Sequence, residues 1–216
     1  MEQFTIHAND YLKQDIKGFY HTDYTGYKKH GNPDYINILK NTFNNEHPDN
    51  LNQAIRQLKN VLLIDLLHIL SIITIKPLIV CVVPRAKAEK IYSPKQLLFK
   101  STVREVINQL NSFIDGTNYI IRHTNTKTTH LTHSQRADQY AGDGPMPYVG
   151  ITNDTCYISN NVREKNILLI DDIYTAGVNI DEDAIQALLD KGARNVYFYA
   201  VGKTIDRRQI FKHLIR

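Results

Sequence analysis

Residues 166–179, NILLIDDIYTAGVN, constrain this chain more than any other stretch. Ile167, Leu168, Leu169 and Ile170 form an unbroken apolar run, which predicts a strand buried on both faces, as in a parallel sheet. The run ends in adjacent carboxylates, Asp171 and Asp172. A short turn carrying Thr175 and Gly177 then opens an amphipathic helix over 180–191. Acids at the carboxyl end of a central strand, beside a helix start with free backbone N–H groups, suit a particular ligand. It has hydroxyls at one end and a phosphate at the other.

Other folds also end strands in paired acids. A receiver domain does so, but three further strand-helix units follow there, and too few residues remain after Asp171 in this chain. A Walker-B strand needs a G-x-x-x-x-G-K-[ST] loop upstream, and the sequence has none. The plain alternative is a buried strand whose acids merely cap the next helix. Thr175-Ala176-Gly177 argues against it, because a ligand loop needs such small and hydroxyl-bearing residues.

The rest of the chain fits an enzyme-sized domain. Its 216 residues, 42% hydrophobic, suffice for one substantial core with an N-terminal elaboration. Cys81 and Cys156 make no disulfide framework, and a reducing cytoplasm is the expected compartment. Residues 1–30 are polar and rich in Tyr and His, unlike a signal peptide. The longest apolar segment, 61–75, is broken by Asp65 and His68 and is too short for a bilayer. A net charge of +4 and pI near 8.9 suit an anionic small molecule and ordinary solvation. Nucleic-acid binding finds no supporting motif.

Residues 1–50 lack periodicity but cluster Phe19, Tyr20, Tyr24 and Tyr27, which predicts a small cap or hood over the core of 51–216. Asn50 is the expected N-cap of a long helix over 51–75, stopped by Pro77. A buried strand over 78–83, a helix over 94–114 and a strand over 118–121 follow. The polar run 123–147 predicts a long flexible loop, and a hairpin is expected about Asn153-Asp154. A last strand spans 196–201. Alternation of strand and helix implies an α/β fold with a mostly parallel sheet flanked by helices.

The strand-acid-acid-x-x-Thr-x-Gly pattern of 167–177 resembles the phosphoribosyl-pyrophosphate (PRPP) signature of the type I phosphoribosyltransferases. The loop RHTNTKTTHLTHSQRAD, with Arg122, Leu131 and Arg136, is loosely similar to that of competence-protein ComF-like members, without their cysteine-rich zinc module. The resemblance implies the type I fold with a hood. It further implies a homodimer, Mg²⁺ as cofactor, and transfer of a 5-phosphoribosyl group from PRPP to a small-molecule acceptor with release of pyrophosphate. Asp171 and Asp172 would take the ribose hydroxyls and hold Mg²⁺ through water. Thr175, Ala176, Gly177, Val178 and Asn179 would cradle the 5-phosphate. The pyrophosphate loop would fall at Arg85 and Lys87. Lys127 and Arg136 would reach the pyrophosphate from the closed lid.

This sequence departs from the family where Asn179 replaces a common Ser or Thr. Thr175 stands where 6-oxopurine enzymes carry an acid, which argues against hypoxanthine or guanine. His123, His130 and His133 have no acidic or cysteine companion at metal-ligand spacing. No general base is assignable. A non-catalytic PRPP or nucleotide sensor, or an effector subunit of a multi-component system, are the alternatives to an enzyme.

Overall fold

The structure, a computed structural model, describes residues 1–26, 29, 31–126 and 150–205. Its elements in chain order are β1 (Glu2–Ile6), β2 (Ile16–Tyr24), α1 (Tyr35–Lys40), α2 (Pro48–Ile72), β3 (Leu78–Val82), α3 (Leu98–Gln109), β4 (Phe113–Asp115), β5 (Ile120–Arg122), β6 (Cys156–Ile158), β7 (Asn166–Tyr174), α4 (Ile180–Asp190) and β8 (Asn195–Thr204). One sheet of six strands runs β1-β2-β8-β7-β3-β4. Every neighbouring pair is parallel except β1 with β2. The expected α/β architecture with a mostly parallel, helix-flanked sheet is therefore present. No helix among the described residues is long and apolar enough to cross a membrane.

Both faces of the sheet are covered, which explains the unbroken apolar runs. Successive side chains of a strand point to opposite faces. Leu78, Val80, Val82, Leu168, Ile170, Tyr199 and Val201 pack with α1, α2 and α3. Their alternates Ile79, Cys81, Ile167, Leu169, Phe198 and Ala200 pack with α4 and the β5-β6 pair. A strand between such layers has no polar face to offer.

Several expectations need correction. The first half of the supposed cap is sheet: β2 extends it beyond β8, and β1 returns antiparallel as its edge. The alternation in IKGFYHTDY is weak because β2 is buried unevenly along its length. His47, not Asn50, caps α2, its ring accepting from the Asp49 amide at 3.3 Å. The helix expected over 94–114 is shorter, since a 3-10 turn with a Ser93/Gln96 capping box precedes it and its end becomes β4. Among the described residues no hairpin forms about Asn153-Asp154. Instead β6 pairs antiparallel with β5 in a separate two-stranded sheet.

The last correction bears on function. The signature strand does not stop at Ile170 but runs on to Tyr174, through both acids. Pairing with β3 ends at Ile170 opposite Val82, while pairing with β8 continues through Asp171, Ile173 and Tyr174. The acids thus lie where β7 keeps one neighbour and loses the other. The chain also winds outward in opposite directions from β3 and β7, toward β4 and toward β8, so a crevice opens between their carboxyl ends.

Leu62 of α2 is fully buried against this sheet. Its replacement by Ala should cost about 2–5 kcal/mol, the usual toll of a core cavity, in urea denaturation.

Candidate functional site

The crevice is a cavity of about 1020 Å³ bordered by the ends of β3 and β7, the C-terminal end of α1 and the first turn of α4. Asp171 and Asp172 form its floor. Asp172 Oδ2 lies 2.8 Å from the Lys40 ammonium, and the Asp172 amide donates to Asp171 Oδ1 at 2.8 Å. Asp171 in turn shares a side-chain hydrogen bond with Asp181, which is 4% exposed and leaves Oδ1 without a partner. Two carboxyls in such contact hold a proton between them, because both charged would repel in a poorly solvated site.

Desolvation drives the titration here. Burial pushes Asp171 up to about 6, opposed by its bond to Asp181 and by Lys40. Asp181 is raised well above the carboxylate range by burial and then by the Asp171 charge. Burial holds Lys40 below the usual ammonium value, with Asp171 acting the other way.

The segment 175–179 makes the crevice's far wall. The Val178 amide closes a turn on Thr175 O at 3.2 Å, and the Thr175 hydroxyl meets that of Thr204 at 2.7 Å. Gly177 has φ +82°, a conformation other residues adopt only with strain, and a Cβ built on it would meet nothing within 4 Å. Asn179 starts α4 in the left-handed region (φ 64°) and makes no side-chain cap. Its carboxamide instead donates to Gly177 O and accepts from Asn9, each at 3.2 Å. The N-terminal turn of α4 is thus not plugged by a capping side chain, and its backbone dipole favours an anion. Three acids, Asp181, Glu182 and Asp183, follow in that first turn. Two of them are spent inside the protein: Glu182 accepts from Tyr174 OH at 2.9 Å, and Asp183 from the Ile151 amide at 2.6 Å.

Arg85 and Lys87 lie on the cavity wall just beyond β3, as the sequence places them. Arg85 is engaged with the protein: Nη1 donates to Lys40 O and Gln96 O at 2.5 Å each, and the guanidinium stacks 4.2 Å from the Tyr92 ring centre. Lys87 donates to Thr126 O at 2.9 Å. Thr126 is clasped to Ala86 O through its amide at 2.8 Å and its hydroxyl at 2.9 Å, and Asn125 accepts from the Ala88 amide at 2.9 Å. Arg122, 4% exposed, donates to Arg85 O and Gly150 O. The described start of the expected lid is therefore sewn onto the loop after β3.

Lys127, Arg136, His130 and His133 lie outside the described residues. His123 is exposed and contacts Thr124 and Asn153. Among the described residues no group of three His, Cys, Asp or Glu side chains is placed to hold a metal ion directly.

The structure therefore brings together Asp171, Asp172, Thr175, Val178, Arg85 and Lys87 around one cavity, with Ala176, Gly177 and Asn179 in the same turn. Sequence reasoning missed Lys40, Asp181 and Asn9. Asp181 carried a signal, a third acid one turn beyond the pair. Lys40 and Asn9 carried none, lying in the aperiodic N-terminal fifty residues. Comparison with protein-family profiles finds no matching family, and comparison with curated proteins finds no match either.

A carboxyl whose pKa rises on folding takes up a proton as the chain folds. It therefore stabilises the fold below the ordinary carboxylate range, and that help is lost as pH climbs through about 6 for Asp171. Asp181→Asn removes the shared proton. Its stability relative to the parent should rise as pH climbs from about 4 through about 6, by on the order of 1 kcal/mol, in urea midpoints measured at each pH.

Proposed function

We propose that this protein binds PRPP in the crevice between β3 and β7 and transfers its phosphoribosyl group to a small-molecule acceptor. The carrying observation is the juxtaposition at the end of β7. Paired acids sit where the strand opens toward the cavity, and the next turn presents backbone amides around Gly177 with room for an anion. Hydroxyls of a ribose suit carboxylate acceptors, and a 5-phosphate suits the uncapped helix start. The cations at Arg85 and Lys87 lie across the cavity, on the side where a pyrophosphate would leave.

A PRPP-bound Mg²⁺ fits this donor set in one way. It would draw its ligands from the pyrophosphate, ribose oxygens and water, with Asp171 and Asp172 accepting from its water shell, since no direct cage is preformed among the described residues. When bound, the metal would neutralise charge on the departing pyrophosphate. The chain's own part is positional: the acids fix the ribose, the 175–179 turn fixes its phosphate, and together they hold C1 in line with the acceptor. Charge developing on the sugar ring would be met by Asp171 and Asp172.

A PRPP sensor shares these contacts, and one observation favours it: Arg85 is already spent on Lys40 O and Gln96 O. Pyrophosphate release from PRPP in the presence of candidate acceptors separates the two. The enzyme turns PRPP over, whereas the sensor only binds it. A cytoplasmic homodimer accompanies the proposal.

Asp171→Asn and Asp172→Asn should each weaken PRPP binding by roughly 1.5–3 kcal/mol, the worth of a charged hydrogen bond. Calorimetry that finds full affinity in the double variant removes the acids from the site. Gly177→Val should abolish PRPP binding while costing about 1 kcal/mol of stability from the left-handed φ. Unimpaired binding by Gly177→Val would move the phosphate elsewhere.

A further inference from the structure

The acids of the cavity already hold a cation, and it belongs to the chain. Lys40 reaches Asp172 at 2.8 Å with side chains 23% and 13% exposed, a largely desolvated pair on the cavity wall. Its backbone is pinned: Arg85 donates to Lys40 O, and Gln96 Nε2 donates to Asn41 O and Thr42 O at 3.2 Å each. Asp171 and Asp181 face it from β7 and α4, and Arg85 from the loop after β3. The neighbouring wall cations are committed elsewhere, Lys87 to Thr126 O and Lys100 to Glu89 at 2.7 Å.

We propose that Lys40 is a resident stand-in for the divalent cation: it occupies the strand acids in the ligand-free protein, keeps free Mg²⁺ out, and makes metal entry depend on PRPP. The proposal rests on the PRPP reading of the crevice. A metal arriving alone must break a partly buried ion pair and leave a desolvated ammonium against Arg85, which is costly. It would also have to complete its shell with water, since no group of three ligand side chains stands ready among the described residues. PRPP removes both obstacles. Its hydroxyls replace the ammonium at Asp172, its pyrophosphate gives the ammonium a new anion, and its oxygens complete the metal's coordination. Lys40 thereby couples the two ligands without any change of fold, since only a long side chain on an anchored helix end has to move.

Mn²⁺ without PRPP is the probe, followed by paramagnetic resonance and calorimetry. The parent protein should show no saturable Mn²⁺ site at the acids. Lys40→Gln should bind Mn²⁺ roughly tenfold tighter or more, because no pair has to be broken. Adding Asp171→Asn and Asp172→Asn should abolish that site, and Lys40→Arg should exclude the ion as the parent does. Lys40→Met gives the same readout should the Gln variant not fold. A parent protein that binds Mn²⁺ as tightly as Lys40→Gln overturns the proposal, as does a folded Lys40→Gln or Lys40→Met variant without a site. Parallel titration of the parent with PRPP and Mg²⁺ tests the underlying reading separately. No PRPP affinity overturns that reading and the coupling to it, whereas PRPP binding with an unchanged Mn²⁺ response overturns only the role of Lys40.

Discussion

The site depends on where one ladder of hydrogen bonds stops. β7 is held on both sides through Ile170, and there β3 turns away while β8 continues. Up to that point the strand's polar backbone is satisfied by neighbours and its side chains are wedged between helical layers. Beyond it, the edge facing β3 opens while the other stays rigid. Side chains projecting there are positioned as precisely as core residues yet border a cavity. A loop could present two carboxylates, but not with that fixity. The continued pairing of Asp171 with Ala200 and of Ile173 with Gly202 is what makes the acids part of the scaffold.

Electrostatics at the site are a close juxtaposition of opposite charges. The chain is basic overall, at +4, and its cavity sets Asp171, Asp172 and Asp181 against cations that include Lys40, Arg85 and Lys87. Burying these charges is tolerable because each is offset locally. Lys40 meets Asp172, Asp171 and Asp181 share a hydrogen bond, and the dipole of α4 opposes the charge of its first-turn acids. The remaining mismatch, Asp181 Oδ1 without a donor, is the kind of unsatisfied group that native folds concentrate at functional places. Net charge alone says nothing about this local pairing of opposite charges.

Legibility from sequence followed physical locality. The strand 167–170, the turn glycine and the following helix were readable because burial on two faces, left-handed geometry and a 3.6-residue period each leave a local mark. The parallel α/β class followed from their alternation. The extent of β7 was not readable, since whether a strand passes beyond its acids depends on β8, supplied twenty-odd residues later. The sheet role of residues 2–24 was hidden for the same reason: β2 finds its partner at the far end of the chain, with Gly18 opposite Phe198. Lys40 is the clearest case. Nothing in INILKN distinguishes a solvated helix-end lysine from an ion-paired one, and only the fold brings it to Asp172.

The clamp at the end of α1 joins these strands of reasoning. Arg85, which its position after a buried strand marks for an anionic ligand, instead spends two of its donors on backbone carbonyls and its face on Tyr92. Those carbonyls belong to the helix end that carries Lys40 and to the turn containing Gln96, whose carboxamide holds the next two residues. A guanidinium suits this task because its planar fork can bridge separate carbonyls while stacking on a ring, which an ammonium cannot do. The division of labour follows: the rigid cation builds the wall, and the flexible ones, Lys40 and Lys87, remain on long stems able to exchange a protein oxygen for a ligand oxygen. If the crevice receives PRPP and releases its pyrophosphate, as proposed, positive charge that can change partners is worth more than positive charge fixed in place.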